Sequence, residues 1–389
     1  MQATVNIEGH CDPRLRAVED AFRENFERFG EVGASVAILV DGEAVVDLWG
    51  GHMDAARTKA WERDTIVNVW STTKGITATC IHRLADQGLL DIDAAVAKYW
   101  PEFAQAGKET LPVRYLLSHQ AGLPAIREPL PVGSAFKWDV MTGALARQEP
   151  WWKPGTKHGY HAFTYGWLLG EVLRRITGET IGAYFREQIA EPLSLDFHIG
   201  LGLEHDARTA EIIPPEMPPL GEDNFLMRML RDSESMAFKA IGNPPDLMNF
   251  ANANTREWRA AEIPAANGHG NARAIARLYG ALARDGELHG VRVLSPQAIA
   301  RAIEVQATGP DAVMALPLHM ALGWVVSSPE APLGPNPRAF GHGGAGGSLG
   351  FADLDARVSF GYAMNKMIQT DSLVDPRWPS LIDALYSSL

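Results

Sequence analysis

The strand signals of this chain lie at its two ends, with helical text between them, and that placement limits the folds open to it more than any other feature. Near the N-terminus GASVAILVDGEAVVDLWGG sets two β-rich runs around Asp41-Gly42. Asp-Gly supplies the positive φ angles of a type I′ turn, so this stretch predicts a hairpin. Strand signals return at ALGWVV and at ADLDARVSFGYAMN, and a last short helix is expected near Ser380 to Tyr386. From about Asp91 to about Gly309 the text is mostly helical. Its clearest helix is YGWLLGEVLRRITG, where Tyr165, Leu168, Leu169, Val172, Leu173 and Ile176 form one apolar face. Strands at both ends around a helical middle predict an α/β domain built from residues 1–90 and 310–389. A mainly helical domain over 91–309 interrupts it. An amphipathic helix is expected to open the chain, roughly over Pro13 to Phe29. The stretch Gly200 to Gly270, rich in Pro, Met and Asn, reads equally as a wall over a pocket or as surface loop.

With 389 residues, 46% of them hydrophobic, the chain can bury a substantial core. A formal charge of −12 argues against nucleic acid as a partner, because tracking phosphates needs clustered Lys and Arg. The N-terminal text has neither a basic leader nor an apolar core, and no stretch reaches the roughly 18 apolar residues of a membrane span. A soluble, cytoplasmic protein without a membrane partner is therefore the expectation. Two cysteines, Cys11 and Cys80, are too few and too scattered for a disulfide scaffold or a zinc site. Cys80 falls on an apolar helical stripe and reads as a buried thiol.

Two serine patterns compete for chemistry. GGSLG, Gly346 to Gly350, has the G-x-S-x-G form of a nucleophile elbow, which needs a strand before Ser348, a helix after it and a later histidine. Strand-like text follows instead, and no histidine lies beyond Ser348. The other pattern is Ser71-Thr72-Thr73-Lys74, where the strand signal of Thr65 to Trp70 runs into a helix that Gly88 is placed to cap. Serine and lysine three apart share a helical face, so the amine can sit beside the hydroxyl and take its proton once its pKa is lowered. The helix N-terminus adds N–H groups near a developing oxyanion. A second S-x-x-K, Ser134 to Lys137, follows Pro129, Pro131 and Gly133 and reads as a loop or cap serine.

The ordered set STTKG, LLSHQAGLP, PGTKHGYHAFTYGWLLGEV, LGW and GHGGAGG resembles the serine β-lactamase and penicillin-binding-protein fold, most of all its class C branch and the family VIII carboxylesterases. The similarity runs from about Val32 to about Met364. It implies an antiparallel sheet flanked by helices with a large helical insertion. It also implies Ser71 as the acylated nucleophile, Lys74 as its proton-handling partner and Tyr160 as a general base whose phenolate the adjacent lysine charge stabilises; which of the two is the resting base stays open. The N–H groups of Ser71 and Ala345 would form the oxyanion hole. His342, Gly343 and Gly344 stand where lactamases carry Lys-Thr-Gly, and Tyr160-His161-Ala162 stands for Tyr-x-Asn. A permanent cation becomes a histidine of ordinary pKa about 6.5, and an amide is lost. Both changes suit neutral acyl groups, so a small or medium ester is the expected substrate, with no metal or organic cofactor. Hydrolysis of β-lactams or D-amino-acid peptides, acyl transfer, and a penicillin-binding module acylated without turnover are the alternatives. His158 and His161 read as loop histidines beside the pocket, His119 and His269 as structural hydrogen-bonders, and Trp151 and Trp152 as packing. Oligomeric state is not readable.

Overall fold

Asp41 and Gly42 take φ values of 50° and 87°, the two positive angles a type I′ turn requires, and the expected hairpin closes around them. A computed structural model describes residues 5–216, 227, 230–368, 370 and 372–389. The part of the Gly200 to Gly270 stretch at 217–226 and 228–229 thus lies outside the described residues. In chain order the strands are β1 (Ile7–Cys11), β2 (Gly33–Val40), β3 (Glu43–Gly51), β4 (Val67–Asn68), β5 (Phe197–His198), β6 (His269–Gly270), β7 (Glu287–Leu288), β8 (Val291–Arg292), β9 (Val325–Val326), β10 (Ala339–Gly343), β11 (Leu349–Asp353) and β12 (Val358–Met364). Seven of them form an antiparallel sheet in the order β1-β3-β2-β12-β11-β10-β9. The two ends of the chain meet in its middle, where β2 pairs with β12 from Val40↔Val358 to Ala34↔Met364. A separate small sheet, β4-β6-β5, stands beside the start of the helix Thr73–Asp86.

Every residue of β12 is buried, as are all but the last of β2. On one face lies the helix Ala272–Ala283, and beside the sheet the first helix, Arg16–Arg28, packs on the last, Trp378–Tyr386. The chain therefore returns to the sheet at Ala272, earlier than the boundary near Gly309 read from the sequence. Periodicity identifies an apolar helix face but not the element that face will cover. The first helix is also shorter than expected, since Pro13–Leu15 form a 3₁₀ turn before it. Gly88, at φ 73°, ends the helix Thr73–Asp86 with Leu89 N–H donating to the Leu84 carbonyl. Among the described residues no helix is long and apolar enough to cross a membrane.

Helix Ala272–Ala283 approaches the sheet at backbone distance. A Cβ on Gly361 of β12 would lie 2.2 Å from the Ala272 carbonyl oxygen and 2.9 Å from the Ala276 nitrogen. Neither atom belongs to a movable side chain, so the helix itself would have to lift. Gly361→Ala is expected to lower stability by about 1–3 kcal/mol, read as a lower urea midpoint at unchanged slope. An unchanged midpoint would contradict this contact.

Candidate active site

The segment from β4 to the helix Thr73–Asp86 is short and strained. The strand signal of Thr65 to Trp70 yields only the two residues of β4, after which Trp70–Thr72 form a 3₁₀ turn. Trp70 has φ 46°, a left-handed value that costs a bulky residue about 1–3 kcal/mol. Packing holds it there: the buried Trp70 ring meets Phe250 edge-on at 5.2 Å and Trp258 at 5.4 Å between centroids. This bend presents Ser71 at the mouth of the helix, partly exposed, while Lys74 one turn on is fully buried.

Lys74 Nζ lies 3.0 Å from Ser71 Oγ and donates to two carbonyl oxygens, that of Ala162 at 2.7 Å and that of Ala265 at 3.0 Å. Burial lowers its pKa well below the ordinary lysine value, and no charge partner among the described residues offsets the lost hydration. A neutral amine has two N–H groups and one lone pair. The two carbonyls take the N–H groups, which leaves the lone pair facing the serine hydroxyl. Nothing in residue type announces those carbonyls. The one trace is Gly166, where a Cβ would sit 2.6 Å from the Ala265 nitrogen, so a glycine lets the helix Thr164–Thr177 reach the 264–265 backbone.

Tyr160 lies on the other side of Ser71. Its ring centroid is 4.7 Å from Lys74 Nζ, and its hydroxyl interacts with the Ser71 side chain. Burial raises the phenol pKa, against a smaller lowering by the Ser71 side chain. Burial raises the phenol and lowers the amine, so both shifts run against a phenolate stabilised by lysine charge. His119 braces the tyrosine. Its carbonyl accepts from Gly159 N–H and its Nδ1 accepts from His161 N–H, each at 3.0 Å, and its ring lies 5.0 Å from that of Tyr160. His161 Nδ1 is 2.6 Å from the Gly159 carbonyl oxygen, to which it donates, while its Nε2 accepts from Leu123 N–H at 3.0 Å. Both nitrogens of His161 are therefore committed to the backbone. Among the described residues no cluster of three metal-ligating side chains occurs.

The end of β10 completes the site. The His342 ring is 6.1 Å from that of Tyr160, and its Nδ1 lies 2.7 Å from the Gly343 carbonyl oxygen, where it donates. Burial pushes its pKa down to about 3, so the ring is neutral at pH 7. The N–H groups of Ser71 and of the exposed Ala345 donate to no hydrogen-bond acceptor among the described residues outside their own turns. Gly343 and Gly344 leave room for close neighbours, Trp378 and Ser348. Ser348 is fully buried in the turn between β10 and β11, with Oγ donating to the Val69 carbonyl at 2.7 Å. Among the described residues no base reaches it, and β11 rather than a helix follows it, so the elbow pattern is not realised. Ser134 lies in a separate 3₁₀ turn, Ser134–Phe136, where the Asp246 carboxylate accepts from Gly133 N–H.

A model of the beta-lactamase family matches residues 20–380. The protein named esterase/beta-lactamase LipL from Mycobacterium tuberculosis is 39% identical over 94% of this chain and 85% of its own length. Among solved structures, one described as a family VIII carboxylesterase is 44% identical with a TM-score of 0.90, over 99% of this chain and 100% of that one. A penicillin-binding protein homologue from Caulobacter crescentus is 41% identical with a TM-score of 0.88, over 99% and 100% respectively. With this coverage, and with serine, amine and phenol gathered at one point, the chain belongs to the beta-lactamase family.

Proposed function

We propose that this protein is a serine carboxylesterase working through an acyl-enzyme on Ser71. One observation carries the reading: a buried Lys74, its pKa lowered by desolvation, whose N–H groups are held by the Ala162 and Ala265 carbonyls and whose third direction meets Ser71 Oγ. The Lys74 lone pair accepts the Ser71 proton while Oγ bonds to the ester carbonyl carbon. The carbonyl oxygen takes the displaced electron pair and is held by the Ser71 and Ala345 N–H groups. On collapse the ester C–O bond breaks, and the leaving alkoxide takes a proton relayed from Lys74 through the Tyr160 hydroxyl. Water then attacks the acyl-enzyme with Lys74 taking its proton, the acyl C–Oγ bond breaks, and Oγ recovers the proton, giving the acid and free Ser71.

Esters are supported over other acyl donors by the neutral His342 and by Ala162, neither of which offers a cation or an amide to a β-lactam. The relatives' descriptions, esterase/beta-lactamase and family VIII carboxylesterase, point the same way. The first of these also favours a second reading, slow β-lactam hydrolysis on the same serine. Nitrocefin turnover exceeding that of short p-nitrophenyl esters would reverse the order of the two.

Ser71→Ala is expected to reduce p-nitrophenyl ester turnover more than about 10³-fold, whereas Ser134→Ala leaves it unchanged. Equal rates for Ser71→Ala and wild type would defeat the assignment. The pH profile supplies an independent check. Lys74 acts unprotonated, so kcat/KM falls as pH drops through its depressed pKa. His342, neutral above a pKa of about 3, cannot be the source of that acid limb, which therefore persists in His342→Gln. Because the Tyr160 phenol is raised above its ordinary value of about 10, the rate should reach its plateau before that pH. A rate still climbing beyond it would make the phenolate the base.

A further inference from the structure

An oxyanion hole works only when its two donors converge on one oxygen, which demands placement to about 0.5 Å. Here the donors come from distant segments, Ser71 from the 3₁₀ turn Trp70–Thr72 and Ala345 from the turn after β10. Ser348 joins them. Its Oγ donates to the Val69 carbonyl at 2.7 Å and, with that hydrogen committed, accepts from the Thr72 hydroxyl at 3.0 Å. Val69 and Thr72 bracket Ser71 on its two sides. The Ser348 carbonyl meanwhile accepts from Gly344 N–H at 2.8 Å, one residue before Ala345. Among the described residues, these two Oγ contacts are the hydrogen bonds that run between 343–348 and 69–74.

The surrounding packing is built around this link. A Cβ on Gly344 would lie 2.2 Å from Ser348 Oγ and 2.3 Å from the Val69 carbonyl oxygen, so a side chain there would force the two segments apart. From the opposite side the buried Arg377 donates to the Gly346 carbonyl, and Trp378 Nε1 donates to the Gly347 carbonyl at 2.7 Å. Those contacts fix the turn against the last helix but leave its distance from Ser71 to Ser348.

We infer that Ser348 is a positioning residue whose buried hydroxyl sets the spacing of the Ser71 and Ala345 amides, and so governs stabilisation of the tetrahedral intermediate. The inference rests on the acyl-enzyme reading above and assigns the G-x-S-x-G serine a role other than nucleophile. Removing the hydroxyl frees the turn after β10 to drift, and a misplacement of this kind lowers the chemical step rather than substrate binding.

The experiment compares wild type, Ser348→Ala, Thr72→Val and the double variant on a p-nitrophenyl ester. Active sites are titrated by the p-nitrophenol burst, so that kcat refers to acylatable enzyme and misfolded protein does not count. Ser348→Ala is expected to lower kcat per titrated site about 10- to 100-fold with KM within about threefold. Affinity for a phenylboronic acid, a mimic of the tetrahedral adduct, should fall in parallel. Thr72→Val should give a smaller loss, and adding it to Ser348→Ala should cost little more, because both cut the same link. If Ser348→Ala does not fold, a reduced kcat in Thr72→Val with unchanged KM carries the test. A kcat per titrated site within twofold of wild type in whichever of the two variants folds, with Ser71 still acylated, overturns the inference. An acyl group found by mass spectrometry on Ser348, or a burst surviving Ser71→Ala, would instead overturn the esterase reading itself.

Discussion

The proposed chemistry depends on a primary amine enclosed, among the described residues, without a counter-charge. Two buried cationic side chains make the point by contrast. Arg377 is paired with Glu31 at 3.0 Å and Asp375 at 2.8 Å, so its charge survives burial. Lys74 meets carbonyl and hydroxyl oxygens and two tyrosine rings, and burial drives its pKa well down. The same desolvation that would penalise an ammonium makes an available base, and the carbonyls that accept its two protons orient the remaining electron pair. Neither effect alone suffices: a neutral lysine free to rotate would spend little time aimed at Ser71.

The frame exists to keep those partners in place. Ala162 follows the tyrosine loop, Ala265 precedes β6, and Ser71 follows β4, so the amine ties together three segments far apart in sequence. The strained Trp70, held between Phe250 and Trp258, turns the chain sharply enough for Ser71 to face the cleft while Lys74 is buried. Around the other donor, the Arg377 network anchors the turn after β10, and the same Arg377 binds Glu31 ahead of β2. The central sheet is thereby coupled to the catalytic turn through ions and backbone rather than through apolar packing alone.

What was legible in the sequence was local. The Asp41-Gly42 hairpin depends on two adjacent φ angles, and the Ser71–Lys74 pair on one turn of helix, so both were readable from spacing. Tyr160 was reachable only through the ordered set of motifs, because a lone tyrosine in a loop carries no sign of what it touches. The acceptors of Lys74 were not legible, since a backbone carbonyl looks alike beneath every residue type. Around Ser348 the text shows only an elbow pattern without its helix and histidine. The ties of Ser348 to Val69 and Thr72 bridge 279 and 276 positions, and nothing in the local text marks them. The helix Ala272–Ala283 was seen as helical, but its assignment to the sheet needed Gly361 and Ala272 to be brought together in space.

The state of one nitrogen decides the matter. Protein labelled with ¹³C at lysine Cε, with the Lys74 signal assigned by its loss in Lys74→Arg, can be titrated directly by NMR. The account predicts a resonance at the neutral-amine position at pH 8 and a pKa far below that of the surface lysines. A Lys74 that stays charged at pH 8 and titrates alongside the surface lysines would contradict it.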